Sequence, residues 1–138
     1  MLDKKTICEV LKSMNDLVGF ELNVALTHGA AMVICGLKTH TNDIDVVILD
    51  ESTRAWVIEN VPYKETAVGK LYELKEMDFG YPEEVWSYGN LSPVSECDVV
   101  SIEGIKTISM KRIVAEKTVL GRPKDIAAIK LIEESGLL

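Results

Sequence analysis

Hydrophobic and polar positions alternate with two different periods along the chain, and the changes of period divide its first part into short elements. Over Lys4–Leu17, apolar residues recur at three- and four-residue spacing, which predicts an amphipathic helix with Asp3 as its N-cap. From Phe20 to Thr27 every second residue is apolar, which is typical of a strand. Gly29–Gly36 is short, small and apolar, and this pattern predicts a short helix that ends at Gly36.

The middle of the chain contains the clearest strand in the sequence. Asp43–Leu49 is β-branched and apolar after its first pair of carboxylates. Ser52–Asn60 is predicted to be a helix with Ser52 as its cap, and Pro62 predicts a turn or loop. Leu71–Phe79 is predicted to be a further strand. The segment after it is rich in proline and glycine and is predicted to be a loop.

The last third of the chain combines a hairpin with two helices. Val99–Ile108 is predicted to be a hairpin that turns at Glu103–Gly104. Ser109 is predicted to cap a helix that runs to about Val119. Pro123 suits a first helical position, and the last helix is predicted to present one apolar stripe formed by Ile126, Ile129 and Ile132.

This order of elements predicts an α+β (α/β) fold in which a small mixed β-sheet is covered by helices. The 138 residues have the length of one domain, so residues 1–138 are predicted to form a single one. A chain of this size buries about two-thirds of the surface that its unfolded form exposes, which is enough for one core without disulfides or metals.

Charge and cysteine content narrow the classes of function. The chain has 15 basic and 22 acidic residues and a net charge of -7, which disfavours extended nucleic-acid binding but leaves a single nucleotide as a ligand. Cys8, Cys35 and Cys97 have no CxxC spacing and predict reduced thiols rather than disulfides or a zinc site. No apolar run reaches the ~20 residues that span a bilayer. The prediction is a soluble, cytoplasmic protein without a membrane partner.

The candidate chemistry centres on Asp43 and Asp45. Two residues apart on a strand, they leave the same face, while Ile44 between them points into the core. Like charges this close cost stability unless a cation joins them, and Mg²⁺ prefers oxygen ligands. Taken alone, the pattern also describes two ordinary acids at a solvated strand end. Upstream, however, the helix predicted to begin at Gly29 has free backbone N–H groups that can hold phosphate.

In this context, residues 28–48, HGAAMVICGLKTHTNDIDVVI, resemble the signature of the DNA polymerase β-like nucleotidyltransferase superfamily. They are most similar to its minimal bacterial and phage branch, which includes abortive-infection and toxin–antitoxin type nucleotidyltransferases. In that layout a glycine pair precedes a small-residue helix, a glycine, a Thr-containing loop and an Asp-x-Asp strand. The matching residues are Gly29, Gly36, Thr41, Asp43 and Asp45.

A second similarity lies near the C-terminus. Ser109–Lys117, followed by residues 121–126 with the sequence GRPKDI, is similar to the helix–turn–helix that closes such domains. The two segments cover about a quarter to a third of the chain and occur in the expected order.

The resemblance implies transfer of an NMP from an NTP to a hydroxyl acceptor with Mg²⁺, or with Mn²⁺ as an alternative. It also implies a third acid on a later strand, which would act as general base or complete the metal shell. Asp78 is the first choice and Asp98 the alternative. The predicted catalytic and metal-binding set is therefore Asp43, Asp45 and Asp78. The predicted nucleotide-binding set is Gly29, Ala30, Lys38, Thr41, Lys117 and Lys124, although for each lysine a solvated surface position or a helix-end charge is the favoured alternative.

Three positions depart from the family pattern. His28 replaces the first glycine, and either crowds the phosphate or lies to one side of it. Ala30 stands where a catalytic subset has serine, and Ala128 where a second acid is common. Two functions from different classes follow: a nucleotidyltransferase acting on an unidentified acceptor, or a non-catalytic module of the same fold that binds a nucleotide or a protein partner. A homodimer is a further expectation.

Overall fold

The structure is a computed structural model that describes residues 1–66, 69–82 and 91–138. The helices within these residues are α1 (Lys4–Val18), α2 (His28–Ile34), α3 (Glu51–Asn60), α4 (Met110–Leu120) and α5 (Pro123–Ser135). The strands are β1 (Val24–Leu26), β2 (Ile44–Ile48), β3 (Tyr63–Thr66), β4 (Gly69–Leu74), β5 (Met77–Gly80), β6 (Val99–Ile102) and β7 (Ile105–Ile108).

The strands form one mixed sheet in the order β3-β4-β5-β2-β1-β7-β6. β2 is central: it pairs parallel with β5 and antiparallel with β1, and β1 in turn pairs parallel with β7. The antiparallel hairpins β3–β4, β4–β5 and β6–β7 complete the sheet on either side of β2 and β1. The predicted fold class, a mixed sheet with helices, is confirmed.

The strand that carries the Asp-x-Asp pair is held by the core. Ile44, Val46 and Val47 of β2 are fully buried, as are Met77 and Phe79 of the neighbouring β5. The prediction that Ile44 points into the core is therefore confirmed. A strand buried on both faces and paired on both edges provides a rigid base for the two carboxylates.

The first predicted helix is confirmed, but the first strand is shorter than predicted. The side chain of Asp3 accepts a hydrogen bond from the backbone N–H of Thr6 at 2.8 Å, as expected of an N-cap. β1 contains only Val24–Leu26, and Phe20 is 41 % exposed. The backbone N–H of Leu22 donates to the side chain of Asn15, so the segment before β1 packs on the end of α1 instead of joining the sheet.

The prediction of one strand over Leu71–Phe79 is wrong, because the segment forms the β4–β5 hairpin. The chain reverses at Lys75 and Glu76, whose φ angles are +50° and +69°. Two-residue hairpin turns with positive φ usually contain Asn or Gly, so Lys-Glu gave no turn signal. The prediction of a turn or loop after Pro62 missed β3 (Tyr63–Thr66), an exposed edge strand without alternation of apolar residues.

Two details of the predicted helices also differ. Asp50, not Ser52, caps α3, since its side chain accepts from the backbone N–H of Thr53 at 2.9 Å. The apolar stripe predicted for α5 is wrong at Ile126, which is 60 % exposed, whereas Ile132 is buried as predicted. The buried face of α5 consists of Asp125, Ala128 and Ile132. Because Asp125 is charged, a search for regularly spaced apolar residues does not identify this face.

The hairpin over residues 99–108 and the Ser109 cap of α4 are confirmed. Most of the loop predicted after β5 falls on residues 83–90, which lie outside the described residues. The three cysteines carry free thiols, as predicted. Among the described residues, no helix has both the length and the apolar character required to cross a membrane.

The two phenylalanines allow a matched test of this core. Phe79 in β5 is fully buried, whereas Phe20 is partly exposed. We expect Phe79→Ala to lower the free energy of unfolding by about 3–5 kcal/mol, because it removes a large side chain and leaves a cavity. Phe20→Ala is the control and should cost much less. Urea denaturation of both variants measures the difference, and equal losses would contradict the assigned positions of these strands.

Candidate active site

Three carboxylates meet at one end of the two central strands. Asp43 lies directly before β2, Asp45 lies within it, and Asp78 of β5 is the register partner of Asp45. One carboxylate oxygen from each residue lies within 4.8 Å of the others. Asp43 is exposed and the other two are half-buried, so the cluster opens to solvent on the side of Asp43.

The cluster strongly perturbs the ionisation of its members. Burial, followed by the charges of Asp43 and Asp78 and a hydrogen bond with Asp78, raises the pKa of Asp45 to about 8. The pKa of Asp78 is also raised, first by burial and then by the charge of Asp43, while its hydrogen bond with Asp45 opposes this shift. The upward shifts favour retention of a proton by the Asp45–Asp78 pair at neutral pH. A cation that replaces this proton would relieve the same repulsion.

Asp98, the alternative third acid, lies elsewhere. It ends a 3₁₀ turn over Glu96–Asp98, and its Oδ2 accepts a hydrogen bond from the backbone N–H of Ser95 at 3.0 Å. The same oxygen is 4.0 Å from Nη1 of Arg112. The choice of Asp98 as the third member of the cluster is therefore wrong, because its carboxylate is directed towards α4.

Gly29 and Thr41 are brought into direct contact. A Cβ atom added to Gly29 would lie 2.4 Å from Oγ1 of Thr41, so a larger residue does not fit at position 29. The backbone of Thr41 is held in turn by Leu2, which exchanges two hydrogen bonds with it at 2.8 and 2.9 Å. Thr41 is two residues from Asp43, and these contacts therefore define the path of the chain into the carboxylate cluster.

Two of the three predicted lysines act electrostatically on the carboxylates or on each other. The Lys117 side chain on α4 is 11 % exposed, and its charge partly offsets the upward shift of the Asp45 pKa. Lys38 is exposed and borders an open cavity of about 520 Å³ formed by residues 37–42 and Met1; its charge adds to burial, the main cause that lowers the pKa of Lys117. Lys124 is exposed on the first turn of α5, and its charge acts on His28.

Asp125 binds two basic side chains, those of Lys117 and Arg122. Its Oδ1 lies 3.5 Å from Nζ of Lys117, and its two oxygens accept hydrogen bonds from the guanidinium of Arg122. These donors, Arg122 first, lower the pKa of the fully buried Asp125 carboxyl to about 2. Asp125 also accepts from the backbone N–H of Arg122 and so caps α5. Asp125 thus both caps the start of α5 and binds a lysine side chain, that of Lys117.

His28 lies to one side of the carboxylates. It begins α2 with a φ angle of +51°, and its Nε2 is 3.5 Å from Oε2 of Glu116 on α4. Burial, followed by the charge of Lys117, lowers the pKa of His28 to about 3, so the ring is neutral at pH 7. The charged groups that act on this ring belong to α4 and α5, which places it on the α4–α5 side of the turn.

The other two departures from the family pattern are buried. Ala30 is 1 % exposed, so its side chain is not available to a ligand, and Ala128 packs on the inner face of α5. Sequence reasoning missed the buried pair Arg112–Glu116. Their spacing of four residues in a predicted helix was the available signal, since such pairs usually interact.

No protein-family model matches this chain, and neither does any curated protein sequence. Among solved structures, it is similar to a protein from Thermotoga maritima assigned as a nucleotidyltransferase. The two are 14 % identical, 98 % of this chain and 96 % of that chain are covered, and the TM-score is 0.58.

Two further structures share the architecture. ANT(2'')-Ia, solved in complex with adenylyl-2''-tobramycin, is 16 % identical over 95 % of this chain and 88 % of its own, with a TM-score of 0.57. JHP933 from Helicobacter pylori is 16 % identical over 97 % of this chain and 68 % of its own, with a TM-score of 0.54. The chain thus has the fold of nucleotidyltransferases, consistent with its resemblance to the DNA polymerase β-like superfamily. At these identities the comparison establishes the fold alone.

The raised pKa of Asp45 predicts a stability that depends on pH. Between its ordinary pKa of 3.8 and about 8, the folded protein retains a proton that the unfolded chain releases. The contribution of Asp45 to the free energy of unfolding is therefore fully present below pH 3.8 and is lost as the pH rises through about 8. In metal-free buffer, we expect Asp45→Asn to raise Tm more at pH 8 than at pH 5. Asp16→Asn, on the exposed face of α1, is the control. An equal shift of Tm at both pH values would contradict the assigned repulsion.

The contact between Gly29 and Thr41 gives a second prediction. Gly29→Ala introduces a methyl group into the space of Thr41 Oγ1, and we expect a loss of about 1–3 kcal/mol in the free energy of unfolding. Thr41→Ala in the same chain removes that oxygen and should restore part of the loss. Urea denaturation of the two single variants and the double variant measures this coupling. Additive losses would show that the clash lies elsewhere.

Proposed function

We propose that the protein is a metal-dependent nucleotidyltransferase that transfers an NMP from an NTP to a hydroxyl acceptor. The observation that carries the proposal is the approach of Asp43, Asp45 and Asp78 to within 4.8 Å at one end of the sheet. The similarity to structures of nucleotidyltransferases supports the same class of reaction.

The donor set fits a hard divalent cation. All three groups are carboxylates, and Mg²⁺ and Mn²⁺ both prefer oxygen ligands. Burial, followed by the charges of Asp43 and Asp78, raises the pKa of Asp45, and a bound cation would offset both effects. Asp43, Asp45 and Asp78 would hold the ion, which when bound neutralises phosphate charge and lowers the pKa of a coordinated hydroxyl. Mg²⁺ is the proposed physiological ion.

The nucleotide is proposed to lie between the carboxylates and the lysine side chains. Lys117 and Lys38 would balance the triphosphate charge, and Asp125 would keep the Lys117 ammonium in place. Gly29, Ala30 and Thr41 would line the phosphates, with Lys124 at the outer edge. The His28 side chain faces α4, which supports the alternative in which it lies to one side of the phosphates and does not block their approach to Gly29.

The reaction is an in-line displacement at the α-phosphorus. The acceptor oxygen forms a bond to this phosphorus as the bond to the bridging oxygen of the β-phosphate breaks, and pyrophosphate leaves with the electron pair of that bond. The hydroxyl proton passes to a carboxylate, for which we propose Asp78, the neighbour of Asp45 in the register of β2 and β5. Proximity and charge stabilisation are the main contributions of the protein.

Calorimetric titration with ATP, CTP, GTP and UTP, with and without Mg²⁺, tests the proposal. We expect at least one NTP to bind in a Mg²⁺-dependent manner, and we expect this binding to vanish in the Asp43→Ala/Asp45→Ala double variant because the metal ligands are lost. Asp16→Asn serves as the control for a change in net charge. A protein that binds no NTP at millimolar concentration would contradict the proposed enzyme.

Pyrophosphate release separates the two functional classes. Release in the presence of a candidate hydroxyl acceptor supports transfer. Metal-dependent binding without release for every acceptor tried would instead support the non-catalytic module of the same fold.

A further inference from the structure

A buried charged pair on α4 has no role in the reaction proposed above. Glu116 is 1 % exposed and Arg112 is 7 % exposed, and Nε of Arg112 donates a hydrogen bond to Oε1 of Glu116 at 3.0 Å. Nη1 of Arg112 also lies 4.0 Å from Oδ2 of Asp98. Burying such charges is costly, and an apolar pair of similar volume would serve packing as well.

The second oxygen of Glu116 connects this pair to the turn between β1 and α2. Oε2 of Glu116 lies 3.5 Å from Nε2 of His28, at the residue that adopts a φ angle of +51°. A left-handed conformation is uncommon outside glycine and persists where surrounding contacts hold it. Glu116 therefore contacts the side chain of the residue whose backbone turns the chain into α2.

The residues on either side of His28 both contact the chain that carries the carboxylates. The backbone N–H of Thr27 donates to the carbonyl of Asp45 at 2.9 Å. Gly29 packs against the side chain of Thr41, two residues before Asp43. A displacement of His28 would therefore be transmitted to Asp45 through Thr27 and to Asp43 through Thr41.

We propose that Glu116 is a positioning residue of the carboxylate cluster, which it acts on by holding His28 in the turn between β1 and α2. The inference rests on the proposed function, since the positioned groups are the proposed metal ligands. Arg112 keeps the Glu116 carboxylate in place, and Asp98 keeps Arg112 in place. The chain of contacts thus runs from the 3₁₀ turn through α4 to the start of α2.

The affinity of the metal-free protein for Mn²⁺ alone, measured by calorimetry, tests this role. Glu116→Gln keeps one oxygen for Arg112 but places an amide group opposite Nε2 of His28. We expect it to weaken Mn²⁺ binding by about tenfold, the lower end of the effect seen when groups that orient metal ligands are altered. Glu134→Gln, an exposed change on α5, is the matched control and should leave the affinity unchanged.

A second variant removes the other half of the contact. His28→Asn keeps a residue that tolerates positive φ but is too short to reach Glu116. We expect it to weaken Mn²⁺ binding to a similar extent, and the double variant to bind no more weakly than either single one, because both changes break the same link. Since Arg112 and Glu116 remain intact in His28→Asn, this variant carries the test if Glu116→Gln does not fold.

Urea denaturation of the same proteins separates positioning from packing. A purely structural role would lower the free energy of unfolding while leaving the Mn²⁺ affinity of the folded protein unchanged, and this result would overturn the inference. Additive losses of affinity in the double variant would also overturn it. Absence of Mn²⁺ binding in the natural protein would overturn the proposed function itself, which distinguishes the two failures.

Discussion

The repulsion between three carboxylates at the end of β2 and β5 is the constraint on which the rest of the site depends. Burial, together with the charges of carboxylates held within 4.8 Å of one another, raises the pKa of Asp45 to about 8, so the three groups cannot all be ionised at neutral pH without a large cost. Packing in the hydrophobic core holds the three carboxylates together. Ile44 and Phe79 are fully buried in the two paired strands, so separation of the carboxylates would require the central strands to part. The stability of the core is thereby used to maintain an unfavourable arrangement of charge.

Positive charge acts on the carboxylate cluster from α4. The charge of Lys117 partly offsets the upward shift of the Asp45 pKa, and Asp125 at the start of α5 contacts the Lys117 ammonium group. Burial lowers the pKa of Lys117, and Asp125 opposes this shift. Three carboxylates together with a lysine that acts on them suit a ligand that combines a divalent cation with phosphate groups. This is the ligand on which the proposed function is based.

Local signals predicted the parts of the chain whose structure local interactions determine. The N-caps Asp3 and Ser109 and the hairpin over residues 99–108 were all predicted, because each depends on residues close together in sequence. The β4–β5 hairpin was missed because Lys75 and Glu76 adopt a conformation that their residue types do not favour. The inner face of α5 was missed because Asp125, a charged residue, is buried there by its partners on two helices.

The sequence by itself predicted that Asp43 and Asp45 leave one face at the start of a strand, since side chains alternate along a strand whatever surrounds it. It ranked Asp78 above Asp98 as a third acid, but it could not place either residue beside Asp45. The tertiary structure placed Asp78 beside Asp45 through the parallel pairing of β2 and β5, and directed Asp98 towards Arg112. It also turned His28 towards Glu116. The pairing joins segments about thirty residues apart, and the contact with Glu116 spans almost ninety. Contacts of this kind depend on how whole elements pack, and no local pattern specifies them.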